Sequence, residues 1–334
     1  MLPSVMTNQS SAIAPPPIAL PPRPAGLLWG LLGVTAFSLT VPLTRVAVAD
    51  GQMSPLFVGA GRAVVAALIA GAALAVTRQP LPRGRQWGQV AVVAAGVVAG
   101  FPLLTSFALT STPASHGVVV IALLPAATAI VAVLRTREHV SPVFWAATAA
   151  GVVAALVFAA LHGGGLGGLH AADLLLLGAV AAAAVGYAEG GLLARSLGAW
   201  QTVSWALVLA SPVMVALTAT AVRADVPRGD TAQWAAVGYL SVVSMFLGFV
   251  AWYRGLAIGP MTQVSQVQLT QPVLSLAWAA VLLHESVTWT TAVGGAAVVA
   301  CAGIAVRTRA GATPRARSPR AAPRSTPPRV PGPA

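Results

Sequence analysis

One pattern occurs twice along this chain at a fixed spacing, and it limits the architecture more than any other feature. Pro113, Pro125 and Glu138 return as Pro260, Pro272 and Glu285, each 147 residues later and without a gap. Glutamate stands at only three positions, 138, 189 and 285, so a match of two of them together with both prolines is not chance. Val120/Val267, Val140/Val287 and Leu109/Leu256 keep the same register. The chain is therefore a tandem repeat, and that decides the fold before any single motif is weighed.

Composition says where the repeat lives. Hydrophobic residues make up 57% of the chain and charged residues 8%, against about 25% charged in an ordinary soluble domain. Ten apolar stretches are long enough to cross a bilayer as helices: 26–48, 54–77, 87–108, 113–134, 142–161, 172–194, 201–222, 232–255, 260–283 and 287–306. A spanning barrel needs alternating strands, and runs such as 90–99 do not alternate. The expected fold is an all-α polytopic membrane protein with ten transmembrane helices in two inverted five-helix repeats. Its expected divisions are a disordered Pro-rich tail over 1–25, a first repeat over 26–161, a Gly-rich linker over 162–171, a second repeat over 172–306 and a disordered Arg/Pro-rich tail over 307–334.

The net charge of +12 is not a nucleic-acid footprint. All 19 basic residues are arginine, and seven lie in the tail from Arg307 to Arg329, where no aromatic interleaves them. That tail is expected to rest on the anionic lipids of the cytoplasmic face. The first 25 residues lack the charged start and unbroken apolar run of a signal peptide, because prolines 15–17 and 21–22 interrupt it. Cys301 is the only cysteine, which leaves no intramolecular disulfide and no Cys/His metal cluster. No cofactor and no metal is expected; a homodimer is compatible with the sequence.

Orientation follows from the arginines. With the N-terminus inside, the inner connections and tails carry fifteen of them and the outer connections only Arg223 and Arg228, each near an acid. Both termini are then cytoplasmic. Five spans per half is an odd number, so the halves enter the membrane in opposite senses. The loop 135–141 holds two arginines while its equivalent, 282–288, holds none. Inverted repeats of this kind belong to secondary transporters, in which two related halves rock about a midplane site. Arginine as the sole base, with abundant Ala, Gly and Val, points to a GC-rich bacterial genome and a plasma-membrane location.

Trp29-Gly30 near the start of the first span, the Pro113…Pro125…Glu138 block and its second copy resemble the drug/metabolite transporter superfamily, EamA type. The resemblance covers 26–306. It implies ten helices in two halves, cytoplasmic termini and export of small metabolites such as amino acids. Arg137-Glu138 fits the basic-acidic step that ends the fourth span, and His284-Glu285 is its weaker second version; Glu138 and Glu285 are the acids of the repeat motif.

Pro125 and Pro272 fall about 18 Å into their helices, near mid-bilayer. Each lacks an N–H for the carbonyl four residues back, Ile121 and Gln268, and so marks a hinge or a site. In span 9, Gln263, Gln266, Thr270 and Gln271 share an arc of about 140°, with Gln268 outside it. Amides in hydrocarbon face protein or a wet cavity, either lining a polar path or bonding helix to helix. Arg62 lies roughly 10 Å from the outer end of span 2, and Glu189, beside Tyr187, about as deep from the inner end of span 6. Intramembrane charges of this kind are functional candidates. Glu189 is expected to carry a proton, hold a substrate amine, or pair with Arg195; Arg62 to hold a substrate carboxylate or tether helix carbonyls. The two differ in depth and are not expected to pair. His116 reads as a packing histidine or a proton relay, and Arg45 as a snorkelling cation.

These features point to export of a small-molecule substrate by alternating access, with proton antiport. An uptake permease or facilitator of the same fold, and more distantly a membrane enzyme on lipid-linked substrates, stay open. No nucleotide-binding motif is present, so the driving force is a gradient.

Overall fold

A backbone in hydrocarbon has to satisfy its own N–H and C=O groups, and this chain does so with helices. The computed structural model describes residues 23–136, 141–162, 170–259, 264 and 267–310, and among these there is no strand. Seven helices are long and apolar enough to cross a membrane: Ala25–Val48, Pro55–Val76, Arg85–Ala108, Ala114–Arg135, Ala171–Leu197, Ala199–Ala224 and Thr231–Ile258. Shorter apolar helices at Pro142–Ala155, Gln268–Leu283 and Trp289–Ala305 occupy the fifth, ninth and tenth places. We number these segments spans 1 to 10 in chain order. Glu138, Gln263, Gln266, the Gly163–Gly168 run and most of both tails lie outside the described residues.

Contacts between spans map onto themselves when the halves are exchanged. Span 2 packs on span 7, span 4 on span 9 and span 5 on span 10, each pair being repeat equivalents. Span 1 packs on span 8, and its equivalent, span 6, packs on span 3. All of these contacts cross between the halves, which therefore interleave rather than abut. Spans 3 and 6 approach closely at two glycines. A Cβ on Gly96 would collide with the Ala182 carbonyl oxygen, and one on Gly186 would come within 2.6 Å of Val97 Cγ1. Glycine at both positions lets the backbones touch, as small residues do between membrane helices.

Several spans are interrupted, and the interruptions also repeat. Span 3 widens to a π-helix over Ala94–Gly100 and span 8 over Leu240–Leu247; the first, moved by 147 residues, falls on the second. Span 4 breaks at Ala122–Leu123, ahead of Pro125, and the Leu123 N–H turns back to the Val120 carbonyl at 3.2 Å. Span 9 has a 3-10 turn, Gln268–Thr270, ahead of Pro272, in which the Gln271 N–H bonds the carbonyl of Gln268. Pro272 lacks the N–H that a regular helix would offer that carbonyl, so the tighter bond replaces it. In span 1, Pro42 frees the Ser38 carbonyl in the same way, and Ser275 of span 9 donates to it at 2.7 Å.

Candidate functional site

Two small adjoining cavities lie where the interruptions converge, and they share Val41 and Gln271 in their walls. Much of their lining comes in repeat-equivalent pairs. Around the larger stand Thr40 and Tyr187, Val97 and Ser244, Pro102 and Phe249. Around the smaller stand Ile121 and Gln268, Pro125 and Pro272, with Leu124 opposite Gln271. Each pair is 147 residues apart, so the cavities lie on the axis that relates the halves. Both π-helices reach the same wall, the first through Val97 and the second through Ser244 and Met245. Volumes of about 20 and 10 Å³ admit a water at most.

The pairs are equivalent in place and not in chemistry. At three of them the second half supplies the polar member: Ser244 against Val97, Gln268 against Ile121, Gln271 against Leu124. Thr40 and Ser244 bond each other across the halves at 2.8 Å. Gln268 and Gln271 are buried, yet Gln268 Nε2 and Gln271 Oε1 have no partner. Unpartnered buried amides are costly unless something arrives to satisfy them.

Arg62 breaks the symmetry most sharply, since its equivalent position is Leu209. It lines the larger cavity and is 1% exposed. One amine, Nη1, reaches Thr44 Oγ1 at a long 3.4 Å, while Nε and Nη2 have no partner. Beyond it an aromatic wall closes the space. The Tyr187 ring lies 6.1 Å from Phe37 and 5.7 Å from Phe249, and those two are 4.8 Å apart.

Other sequence candidates are elsewhere. Glu189 is two residues past Tyr187, about 200° round the helix, and faces away from the cavities. Its carboxylate takes Arg135 Nε at 2.9 Å and Nη2 at 3.2 Å, and Gln89 Nε2 at 2.7 Å; its partner is Arg135 of span 4 rather than Arg195. Glu189 and Arg62 form no ion pair. Thr270 is exposed, and its hydroxyl returns to the Val267 carbonyl at 2.7 Å. The 3-10 turn advances about 120° per residue instead of 100°, which carries Gln268 toward the cavity and Thr270 off it. Glu285 caps span 4, and both its oxygens accept backbone N–H groups, Ala114 and Ser115, at 2.8 Å. His116 Nε2 meets Asp173 Oδ1 at 2.7 Å, tying spans 4 and 6. Arg45 donates to the carbonyls of Leu109 and Thr110, at 2.6 and 2.9 Å, where span 3 ends.

Thr40, Phe37, Ser244, Phe249 and Gln268 were missed among the sequence candidates. The 147-residue register reaches some of them: Thr40 is the equivalent of Tyr187, and Gln268 is the residue whose carbonyl Pro272 frees. Chemically the site offers one cation, two amides, the hydroxyls of Thr40, Tyr187, Ser244 and Ser275, and aromatic faces, with no carboxylate among the described lining residues. Such a lining is chemically suited to a small polar or amphipathic solute.

Comparison with known proteins gives the same picture. A crystal structure of a protein 19% identical matches with a TM-score of 0.59, covering 86% of this chain and 99% of the other, which supports the fold. The uncharacterized transporter YdeK of Bacillus subtilis (strain 168) is 42% identical over 290 residues, 84% of this chain and 97% of the relative. The sequence model of the EamA-like transporter family matches residues 24–160 and again 170–307, once for each half. With helical spans, a doubled family match and a cavity on the repeat axis, this chain is a multi-pass membrane transporter and belongs to the EamA-like transporter family.

Proposed function

We propose that the protein exports a small metabolite, an amino acid or a related compound, across the plasma membrane by alternating access. One observation carries this reading: the repeat-equivalent pairs that line a shared cavity, at a point where both halves have broken or widened helices. Interrupted helices with small, opposed hinges suit two halves that rock about a fixed site. The arginine bias puts both termini, and the end of the bundle holding Arg85, Arg135, Arg195 and Arg254, on the cytoplasmic side.

Span 4 is held to the second half at both ends. At the cytoplasmic end Arg135 holds Glu189; at the outer end Glu285 holds the first turn and His116 holds Asp173. In alternating access these two sets of contacts part in turn. A proton arriving on Glu189 removes the charge that holds Arg135, and this couples proton antiport to opening at the cytoplasmic face.

Untargeted metabolite profiling of medium and cells tests the reading, with wild-type protein compared against an Arg62→Ala, Glu189→Gln double variant. A compound enriched outside only with wild-type protein establishes export. One depleted from the medium and enriched in cells overturns the direction and favours an uptake permease.

A further inference from the structure

Resting on the transport reading of this cavity, we infer that Arg62 is the carboxylate-binding residue of the site and that the substrate is a monocarboxylate with an apolar or aromatic body. The guanidinium is 1% exposed, lines the larger cavity and leaves Nε and Nη2 without partners. Those two groups lie side by side on one edge of the fork, the edge that takes both oxygens of a carboxylate in parallel hydrogen bonds. A purely structural arginine spends its fork on carbonyls, as Arg45 does with Nη1 at the end of span 3, whereas Arg62 reaches one hydroxyl at 3.4 Å and no carbonyl among the described residues.

Charge balance sets the valence. No carboxylate stands among the described residues lining either cavity, so a bound monoanion neutralises Arg62. A dianion such as phosphate would leave a net negative charge in a buried site. The walls set the rest of the molecule. Phe37, Tyr187 and Phe249 face the same space and accept an apolar or aromatic body. Gln271 Oε1, an acceptor with no partner, takes an N–H or O–H carried next to the carboxylate. Deaminated 2-hydroxy and aryl acids fit this balance, and an amino acid fits it in its anionic form, with a neutral amine on Gln271 Oε1; free amines without a carboxylate do not. The present cavity of about 20 Å³ is smaller than any of these, so binding goes with expansion.

The test is equilibrium binding to the purified full chain in lipid nanodiscs, read by intrinsic tryptophan fluorescence. The probes are phenylacetate, the neutral 2-phenylethanol, 2-phenylethylamine and inorganic phosphate. Wild-type protein is expected to bind phenylacetate at least about tenfold tighter than the alcohol, and to show no saturable binding of phosphate or the amine. Arg62→Gln should remove the preference for the acid and leave affinity for the alcohol unchanged. Arg62→Lys, which keeps the charge but not the fork, should retain part of it and serves if the Gln variant does not fold. Equal affinity for acid and alcohol in the wild type, a preference that survives Arg62→Gln, or no binding of the acid at millimolar concentration overturns the assignment. Because the readout is binding, acid selectivity without flux in proteoliposomes would count against the transport reading alone, and flux of an acid untouched by Arg62→Gln against the Arg62 assignment alone.

Discussion

Glu285 holds the start of a helix in the opposite half: one carboxylate oxygen accepts the Ala114 N–H and the other that of Ser115, both at 2.8 Å. Pro113 precedes that helix and brings no side-chain cap of its own. The acid of the second repeat motif therefore completes the proline of the first, and a motif legible only as spacing becomes a contact between halves. A carboxylate at a helix N-terminus satisfies two orphan donors and meets the positive end of the helix dipole.

The first expected outcome follows from that contact. Glu285→Gln removes the charge and turns one acceptor into a donor facing an N–H, so the purified protein should lose about 1–2 kcal/mol and unfold a few degrees lower. Glu285→Asp, one methylene shorter, should fall between the two. A thermal melt indistinguishable from wild type would sink the capping role.

Repeat, class and span order were legible in the sequence because hydropathy and a gapless 147-residue offset are properties of the chain alone. The site was legible only in part. Arg62, Tyr187, Gln271 and both prolines stand out as polar, charged or helix-breaking residues in apolar surroundings, and all five line the cavities. Gln268 was placed off the polar arc because the wheel assumes 100° per residue, and the 3-10 turn before Pro272 breaks that assumption. Nothing in composition announces the π-helices at Ala94–Gly100 and Leu240–Leu247. The partner of Glu189 was also hidden. Arg195 is near in sequence, whereas Arg135 is brought to it by the packed spans 4 and 6.

Charge exchange separates two roles for Glu189. Either Glu189→Arg or Arg135→Glu alone puts like charges together at the cytoplasmic end, and flux in proteoliposomes is expected to drop roughly tenfold. The double exchange restores the pair and should recover most of the flux if holding the helices together is what matters. If Glu189 carries the coupled proton, the exchanged protein still binds substrate but loses its response to a pH gradient. Unaltered flux in both single variants would remove the pair from the transport cycle.

Close approach of spans 3 and 6 gives a packing test remote from ligand chemistry. Gly96→Ala places a methyl against the Ala182 carbonyl, a backbone atom that cannot rotate aside. Overpacking of this sort costs about 1–3 kcal/mol. Gly88→Ala in the same span, where a Cβ meets nothing within 4 Å, is the control and should melt with the wild type. Equal melting temperatures for both variants would mean that the two helices separate freely at this point.

Pro272 offers the sharpest test of the hinge. It forces the turn at Gln268–Thr270, and that turn sets Gln268 and Gln271 against the cavities. Pro272→Ala supplies the missing N–H, lets the Gln268 carbonyl take its ordinary partner and straightens the helix. Thermal stability should hold or rise. Gln268 would rotate away from the site, and the half would lose the place where it bends, so turnover in proteoliposomes should fall several-fold. Pro125→Ala makes the same change in the first half, where the equivalent wall residues Ile121 and Leu124 are apolar. It should slow turnover while leaving substrate affinity nearly as it was, whereas Pro272→Ala should weaken both. Identical losses from the two variants would show that the prolines act only as bends, and that the amides of span 9 take no part in holding the substrate.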